Sequence, residues 1–289
     1  RSLRDVDEDG YEYDEVEKLK LKLVKGDQEA FKKVIDGDAD NLVEGSNVTE
    51  NYRYLLERIG ATDLTSEELR EAVKALTVID IRLEGDDNAQ LIFESLNSTG
   101  LALSEGDKIR NYILMDLPEA DQDAYYRKYW NPIELNCGYD TSSFIRDFLT
   151  CMTRRTPVIA RVYPEFRRYA ATRSTVDLLD GMLRYSTLCR EVGEASCGSA
   201  KVDAVLRRLG LLDMGVMTPF LMSALATYED GSIAEGELVE SLSAVETYVF
   251  RRWVCKMPTN ALNKVFETLH WEAAKGLEDG QGYANALKY

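Results

Sequence analysis

Histidine is nearly absent from this 289-residue chain: His270 is the only one. A metal centre built on histidines therefore lacks its ligands, and a nuclease centre that needs two of them is excluded. A histidine-based triad has His270 as its single candidate base, and in Thr-Leu-His-Trp that residue reads first as a helix-face residue near a core. Cysteines are few and scattered: Cys137, Cys151, Cys189, Cys197 and Cys255 form an odd set with no C-x-x-C pair, which reads as reduced thiols in a cytoplasmic protein. No apolar run approaches the ~18 residues of a membrane span, and the start, Arg-Ser-Leu-Arg-Asp-Val-Asp-Glu-Asp, lacks the apolar stretch of a signal peptide. Because the first residue is not methionine, the expectation is an excised or processed piece of a longer chain.

Positive charge is also in deficit. Lysine and arginine number 35 against 51 acidic residues, for a net charge of −16, and such a surface repels nucleic acid and anionic membranes unless positive charge is gathered locally. With 45% apolar residues the chain is globular, and its length fits one large domain or two ordinary ones. The deficit is uneven. Residues 1–100 hold 25 acidic and 13 basic side chains, a net of −12 that leaves −4 for the remaining 189. Over residues 146–173, Arg146, Arg154, Arg155, Arg161, Arg167, Arg168 and Arg173 face only Asp147 and Glu165. This basic island is either a solvated helix face that pairs with the acidic first third or a phosphate-facing patch, the candidate DNA contact.

The hydropathy pattern predicts an α+β chain that is predominantly helical. Residues 18–24 alternate lysine and leucine as a half-buried strand does, and residues 76–83 form a β-branched run. Asp27 can cap a helix burying Phe31 and Val34. A second helix from about 47 to 59 is expected to bury Val48, Tyr52, Leu56 and Ile59, with Gly60 ending it, and Thr65-Ser-Glu-Glu68 is a capping box. Beyond residue 104 everything reads as helix, with spans near 105–115, 142–154, 174–192, 201–213, 219–228, 235–256 and 260–275. Breaks are expected at Pro118, Pro157, Gly193, Gly198, Gly215, Pro219, Gly231 and Pro258. In the helix near residue 178, Leu178, Leu179, Met182, Leu183 and Tyr185 make a core stripe with Arg184 and Arg190 outside it. No fixed-period repeat is present. The expected organisation is a small α+β part over 1–104 and a helical bundle over 105–289.

The most specific segment is 86–112. Its first half is helical, with Ala89, Ile92, Phe93 and Leu96 on a buried face and Gln90, Glu94 and Asn97 aligned on a polar stripe. Gly100 stops that helix, and Ser104 with Asp107 opens the next as a capping box whose Ile109, Tyr112 and Ile113 turn inward. The loop between them, rich in Asn, Ser, Thr and Gly, stands beside a helix N-terminus, where unsatisfied N–H groups attract anions. Glu94 has the chemistry of a metal ligand or base. Arg110 can hold a phosphate or pair with Asp107. On spacing alone a plain helix–turn–helix junction needs the same polar residues.

Ala-Gln-Leu-Ile-Phe-Glu-Ser-Leu-Asn-Ser-Thr-Gly at 89–100, followed by Leu-Ser-Glu-Gly-Asp-Lys-Ile-Arg-Asn-Tyr at 103–112, resembles the signature of bacterial "domain of unknown function" family 262, the N-terminal half of GmrSD-type, modification-dependent restriction proteins. Lys-Leu-Lys-Leu from 18, Asn-Tyr-Arg-Tyr from 51, Tyr-Trp-Asn-Pro-Ile from 129, and the stretch from Arg251-Arg-Trp253 to Asn263-Lys-Val-Phe266 resemble its flanks. The resemblance implies a nucleotide-handling fold related to ParB and sulfiredoxin with a large helical insertion. It also implies nucleoside triphosphate hydrolysis coupled to a C-terminal His-Asn-His nuclease that cuts modified phage DNA. The family's Asp-Gly-Gln-Gln-Arg motif, tied to hydrolysis, and the nuclease half are both missing from this sequence.

The expectation is thus part of a phage-defence protein. Glu94, Asn97, Ser98, Thr99, Gly100, Asp107 and Arg110 form one wall of a nucleoside triphosphate site, with magnesium in the full-length protein. A nuclease domain or subunit and DNA are the expected partners, with no membrane. Catalytic residues are unassigned and no metal site of the chain's own is expected. The alternative is a non-catalytic helical scaffold for protein or DNA recognition.

Overall fold

The computed structural model describes residue 23 and residues 25–77, 103–115, 117–258 and 260–287. The chain divides into two compact units at residues 82 and 83. Among the described residues there is no strand and helix dominates, as the predominantly α-helical reading expects. Of the two expected strands, 18–24 and 76–83, only Leu23, Leu76 and Thr77 are described, and they are not in strands. The rest of both segments, and residues 78–102 with most of the nucleotide-site motif, lie outside the described residues.

The first unit carries α1 (Lys25–Asp36), α2 (Asn47–Gly60) and α3 (Ser66–Lys74). Asp27 lies in the first turn of α1, and does not cap it. The α2 N-terminus is capped by Ser46, whose Oγ accepts from Val48 N at 3.2 Å. α3 opens with the expected capping box: Glu68 N donates to Thr65 Oγ1 at 3.3 Å and Thr65 N donates to Glu68 Oε2 at 2.8 Å. The burial expected along α2 is only partly realised. Val48 and Tyr52 are half-buried, but Leu56 is 50% and Ile59 48% exposed, because among the described residues α1 is the helix that packs on α2 and it covers the N-terminal half.

The second unit is an all-helical bundle among the described residues. It contains α4 (Glu105–Met115), α5 (Glu119–Tyr125), α6 (Asn131–Asn136), α7 (Thr141–Thr153), α8 (Val162–Ala170), α9 (Thr175–Glu194), α10 (Ala200–Gly210), α11 (Thr218–Glu229), α12 (Glu235–Val254) and α13 (Asn260–Glu278). Each of the seven predicted spans has its helix. Short side chains mark the starts, with Asp140, Ser174 and Ser199 accepting from Ser143 N, Asp177 N and Val202 N at 3.1–3.3 Å. Gly193 does not break α9, which ends instead at Ala195 in the left-handed conformation (φ 51°). Pro219 falls in the first turn of α11, where its missing N–H costs nothing.

Two apolar clusters fill the bundle. One gathers α4, α6, α7, α8 and the first half of α9 around Ile109, Trp130, Phe148, Phe166 and Leu179. The other gathers α10 to α13 around Leu206, Phe220, Leu242 and Phe266. α9 belongs to both, giving Leu178, Leu179 and Met182 to the first and Leu188 to the second, so its predicted stripe is a core stripe. α11 is apolar on every side, with Pro219 through Ala226 all buried, as befits a helix wrapped by α7, α9, α12 and α13. Between α5 and α6 a π turn over Tyr126–Trp130 adds one residue to the winding, and the adjacent Tyr129 and Trp130 are both buried.

Candidate functional site

The described half of the motif begins at Leu103. Ser104 and Asp107 close a reciprocal cap: Asp107 N donates to Ser104 Oγ at 3.0 Å, while Ser104 N and Ser104 Oγ donate to Asp107 Oδ2 at 3.3 and 2.7 Å. The other carboxylate oxygen of Asp107 pairs with Arg110 Nη2 at 3.0 Å. Arg110 Nη1 donates to Glu134 Oε1, also at 3.0 Å, and Trp130 Nε1 donates to the same oxygen at 2.7 Å. Tyr126 Oη donates to Glu134 Oε2 at 3.4 Å, and burial, helped by the Glu134 charge, raises its pKa. Arg110, 33% exposed, therefore joins α4 to α6 through a carboxylate that is 13% exposed.

The neighbouring motif residues are engaged as well. Glu105 accepts from Tyr163 N at 2.8 Å, capping the start of α8 from another helix, and takes Lys108 Nζ at 2.6 Å. Ile109 and Ile113 are buried, and Tyr112 meets Tyr163 and Phe166 edge-on with centroids 6.3 and 6.4 Å apart. Gly106 lets α4 lie against the α7 N-terminus, where its N–H reaches Ser142 Oγ at 3.0 Å. A Cβ there would stand 2.9 Å from Thr141 Cβ and 3.2 Å from Ser142 N. Gly106→Ala is expected to destabilise the bundle by about 1–3 kcal/mol through overpacking, although glycine-to-alanine in an open helix gains stability. Gly236→Ala in α12, where a Cβ meets nothing within 4 Å, should gain a few tenths of a kcal/mol or more. Urea midpoints of the two variants shifted in the same direction would refute the close approach.

The basic island divides by the fate of its arginines. Arg146 turns inward, its Nε donating to Pro157 O at 3.1 Å and its Nη1 standing 3.7 Å from Asp147. Arg154 ends α7 in the left-handed conformation with its guanidinium 4.0 Å from the Trp271 ring centroid. Arg167 lies over Tyr112 and Tyr163, Arg173 covers Tyr169 at 3.6 Å, and Arg168 pairs with Glu165 at 2.6 Å. Arg155 and Arg161 are exposed, and their guanidinium groups have no partner among the described residues. Glu134, Glu105 and Trp271 escape sequence reading because their partners are 24, 58 and 117 positions away. Glu94, Asn97, Ser98, Thr99 and Gly100 lie outside the described residues.

The lone histidine is a core-edge residue. His270 Nδ1 stands 2.9 Å from the hydroxyl of fully buried Tyr283, and burial, with Arg154 nearby, lowers its pKa to about 4. Burial raises the Cys137, Cys151, Cys189 and Cys197 thiols well above their usual range, which makes them poor nucleophiles. Among the described residues no cluster of three potential ligands could hold a metal ion, and no helix is long and apolar enough to cross a membrane.

Comparison with curated proteins and with solved structures returned no match. One family model matches, that of the GmrSD restriction endonuclease N-terminal domain, over residues 4–114. The matched stretch reaches the last turn of α4 and thus includes the Ser104–Asp107–Arg110 cap. It is this first 111-residue stretch that likens the chain to GmrSD-type restriction proteins.

Proposed function

We propose that this chain is part of a phage-defence protein of the modification-dependent restriction type. Residues 94–110 supply one wall of a nucleoside triphosphate site, and the helical bundle serves as a regulatory or recognition domain. The likeness of residues 4–114 to the GmrSD N-terminal domain carries this reading. Asn97, Ser98 and Thr99 hydrogen-bond the nucleotide, and Glu94 helps order magnesium, which takes carboxylates together with phosphate oxygens. Asp107 and Arg110, tied into the α4–α6 junction, hold that wall against the bundle, and a nuclease domain or subunit with its DNA completes the system.

Hydrolysis is expected to need the Asp-Gly-Gln-Gln-Arg segment that this sequence lacks. Phosphate release from ATP or GTP by the purified chain with magnesium should stay at background. A longer protein carrying that segment should turn over, and Glu94→Ala in it should abolish turnover. A longer protein whose activity ignores Glu94→Ala and Asn97→Ala would refute the assigned wall. Release by the present chain that rises with protein and vanishes in Glu94→Ala would refute the need for the missing segment.

The internal engagement of Asp107 and Arg110 favours a second reading, a helical recognition scaffold with no chemistry of its own. In that case the longer protein would bind DNA or a protein partner without hydrolysing nucleotide.

A further inference from the structure

Two arginines of the basic island converge on one cavity. It has a volume of about 500 Å³ and lies between the C-terminal end of α7 and the outer face of α8. Arg155 and Arg168 provide its positive charge, Thr153 and Thr156 its hydroxyl groups, and Leu149, Pro157 and the Tyr169 ring its apolar wall. The volume falls in the range of small-molecule sites, roughly 300–1,000 Å³, and its lining is divided between an apolar side and a larger set of polar and charged side chains, as a site for a polar, charged ligand requires.

The walls are fixed before any ligand arrives. Thr156 N donates to Glu267 Oε1 at 2.7 Å, Arg146 Nε to Pro157 O at 3.1 Å, and Thr150 Oγ1 to Thr156 Oγ1 at 3.3 Å, so the loop bearing Arg155 is held from α7 and α13. Tyr169 is clamped between Phe148, edge-on at 5.8 Å, and the Arg173 guanidinium at 3.6 Å. Glu165, which also lines the cavity, orients Arg168 through their 2.6 Å pair and leaves the lining one positive charge in excess. In a protein of net charge −16, a preformed concave site with a spare guanidinium selects a small anion.

We propose that this cavity binds a small phosphate ester of nucleoside monophosphate size. Arg155 and Arg168 grip the phosphate, with bidentate geometry open to the unpaired Arg155. The flat organic part lies against Tyr169, Leu149 and Pro157, and Glu165 accepts from a donor on its edge. None of the residues that line the cavity falls within residues 4–114, so the proposal does not depend on the triphosphate wall proposed above. Because Arg146, Arg154, Arg167 and Arg173 are turned onto a carbonyl or onto rings, leaving only Arg161 of the island free outside the cavity among the described residues, the geometry favours one pocketed phosphate over a track of duplex phosphates.

The test is calorimetric titration of the whole chain with inorganic phosphate, the common nucleoside 5′-monophosphates, the phosphate-free nucleosides and a duplex DNA. At least one monophosphate should bind saturably, more tightly than inorganic phosphate and far more tightly than its nucleoside. Arg155→Gln and Arg168→Gln should each weaken it at least tenfold, while Arg161→Gln, an exposed arginine outside the cavity lining, should leave it unchanged. Circular dichroism checks that the variants fold. Absence of saturable monophosphate binding overturns the proposal, as does binding indifferent to Arg155 and Arg168. Binding of duplex DNA alone, falling with salt and weakened equally by all three changes, overturns it in favour of a nucleic-acid track.

Discussion

Phe148→Ala should cost the helical unit about 3–5 kcal/mol, the range for removing a large aromatic side chain from a packed core. Phe148 is 1% exposed and its ring stands 6.2 Å from Phe144, 5.8 Å from Tyr169 and 5.6 Å from Tyr185, so truncation leaves three rings facing a void. The three tryptophans, Trp130, Trp253 and Trp271, all lie in the helical unit, which makes indole fluorescence its own reporter. At about 2–4 °C per kcal/mol for a unit of this size, the thermal midpoint should fall by roughly 10 °C or more. A fall of only a degree or two would mean that the rings repack and that α7 is not the centre of its cluster. Because Tyr169 leans on Phe148, the same change should also loosen the apolar wall of the phosphate-ester cavity.

Two buried titratable groups should oppose each other in the pH dependence of stability. His270 has its pKa lowered to about 4 by burial and the nearby Arg154, so its contribution is fully present above the unfolded value of about 6.5 and is lost as pH falls toward 4. Asp147 has its pKa raised to about 7 by burial, which outweighs the lowering effect of Arg146 3.7 Å away, with Asp140 adding to the rise. Its contribution is fully present below the unfolded value of about 3.9 and is lost as pH rises through about 7. Each amounts to on the order of 3–4 kcal/mol. Between about pH 4 and pH 6.5 the folded protein holds on Asp147 the proton that the unfolded chain holds on His270, and the two slopes cancel.

Single substitutions expose the hidden slopes. Asp147→Asn should become less stable as pH falls from 6.5 to 4, and His270→Gln less stable as pH rises from 4 to 7. Denaturation midpoints of both variants measured across that window decide the matter. Two flat profiles, or two slopes of the same sign, would show that these groups are not the pair setting the balance. At pH 8 Asp147→Asn should also be more stable than the parent, because it removes a carboxylate that is costly to bury in its charged form.

The long helices were legible because their apolar residues recur at the helical period, and the starts of α7, α9 and α10 also carry Asp or Ser as caps. Thr65 with Glu68 and Ser104 with Asp107 could be read directly, since a cap closes within four residues. The short α5, α6 and α8 were not legible. Pro132 and Pro164 interrupt any helical pattern read across them, yet each occupies a first turn, where proline is tolerated, and the π turn before α6 has no sequence period. The α2 face shows the limit of periodicity: Leu56 and Ile59 have the spacing of core residues, but spacing does not supply a partner. In the motif, the cap was readable from local residues, whereas Glu134, which holds Arg110, is 24 positions away and is found only by folding the chain.

The course of α9 through both apolar clusters has a consequence for how the bundle comes apart. Met152, Tyr185 and Cys189 pack against both clusters, and the middle of α9 is held sideways by Asn136 Nδ2 donating to Ser186 Oγ at 3.0 Å. A helix shared in this way acts as a common axle: neither half can release its share without stripping solvent-shielded backbone from the other. Partial opening that frees one cluster alone is therefore disfavoured, and the helical unit should melt as one cooperative block, with the amides of α9 the last to exchange with solvent.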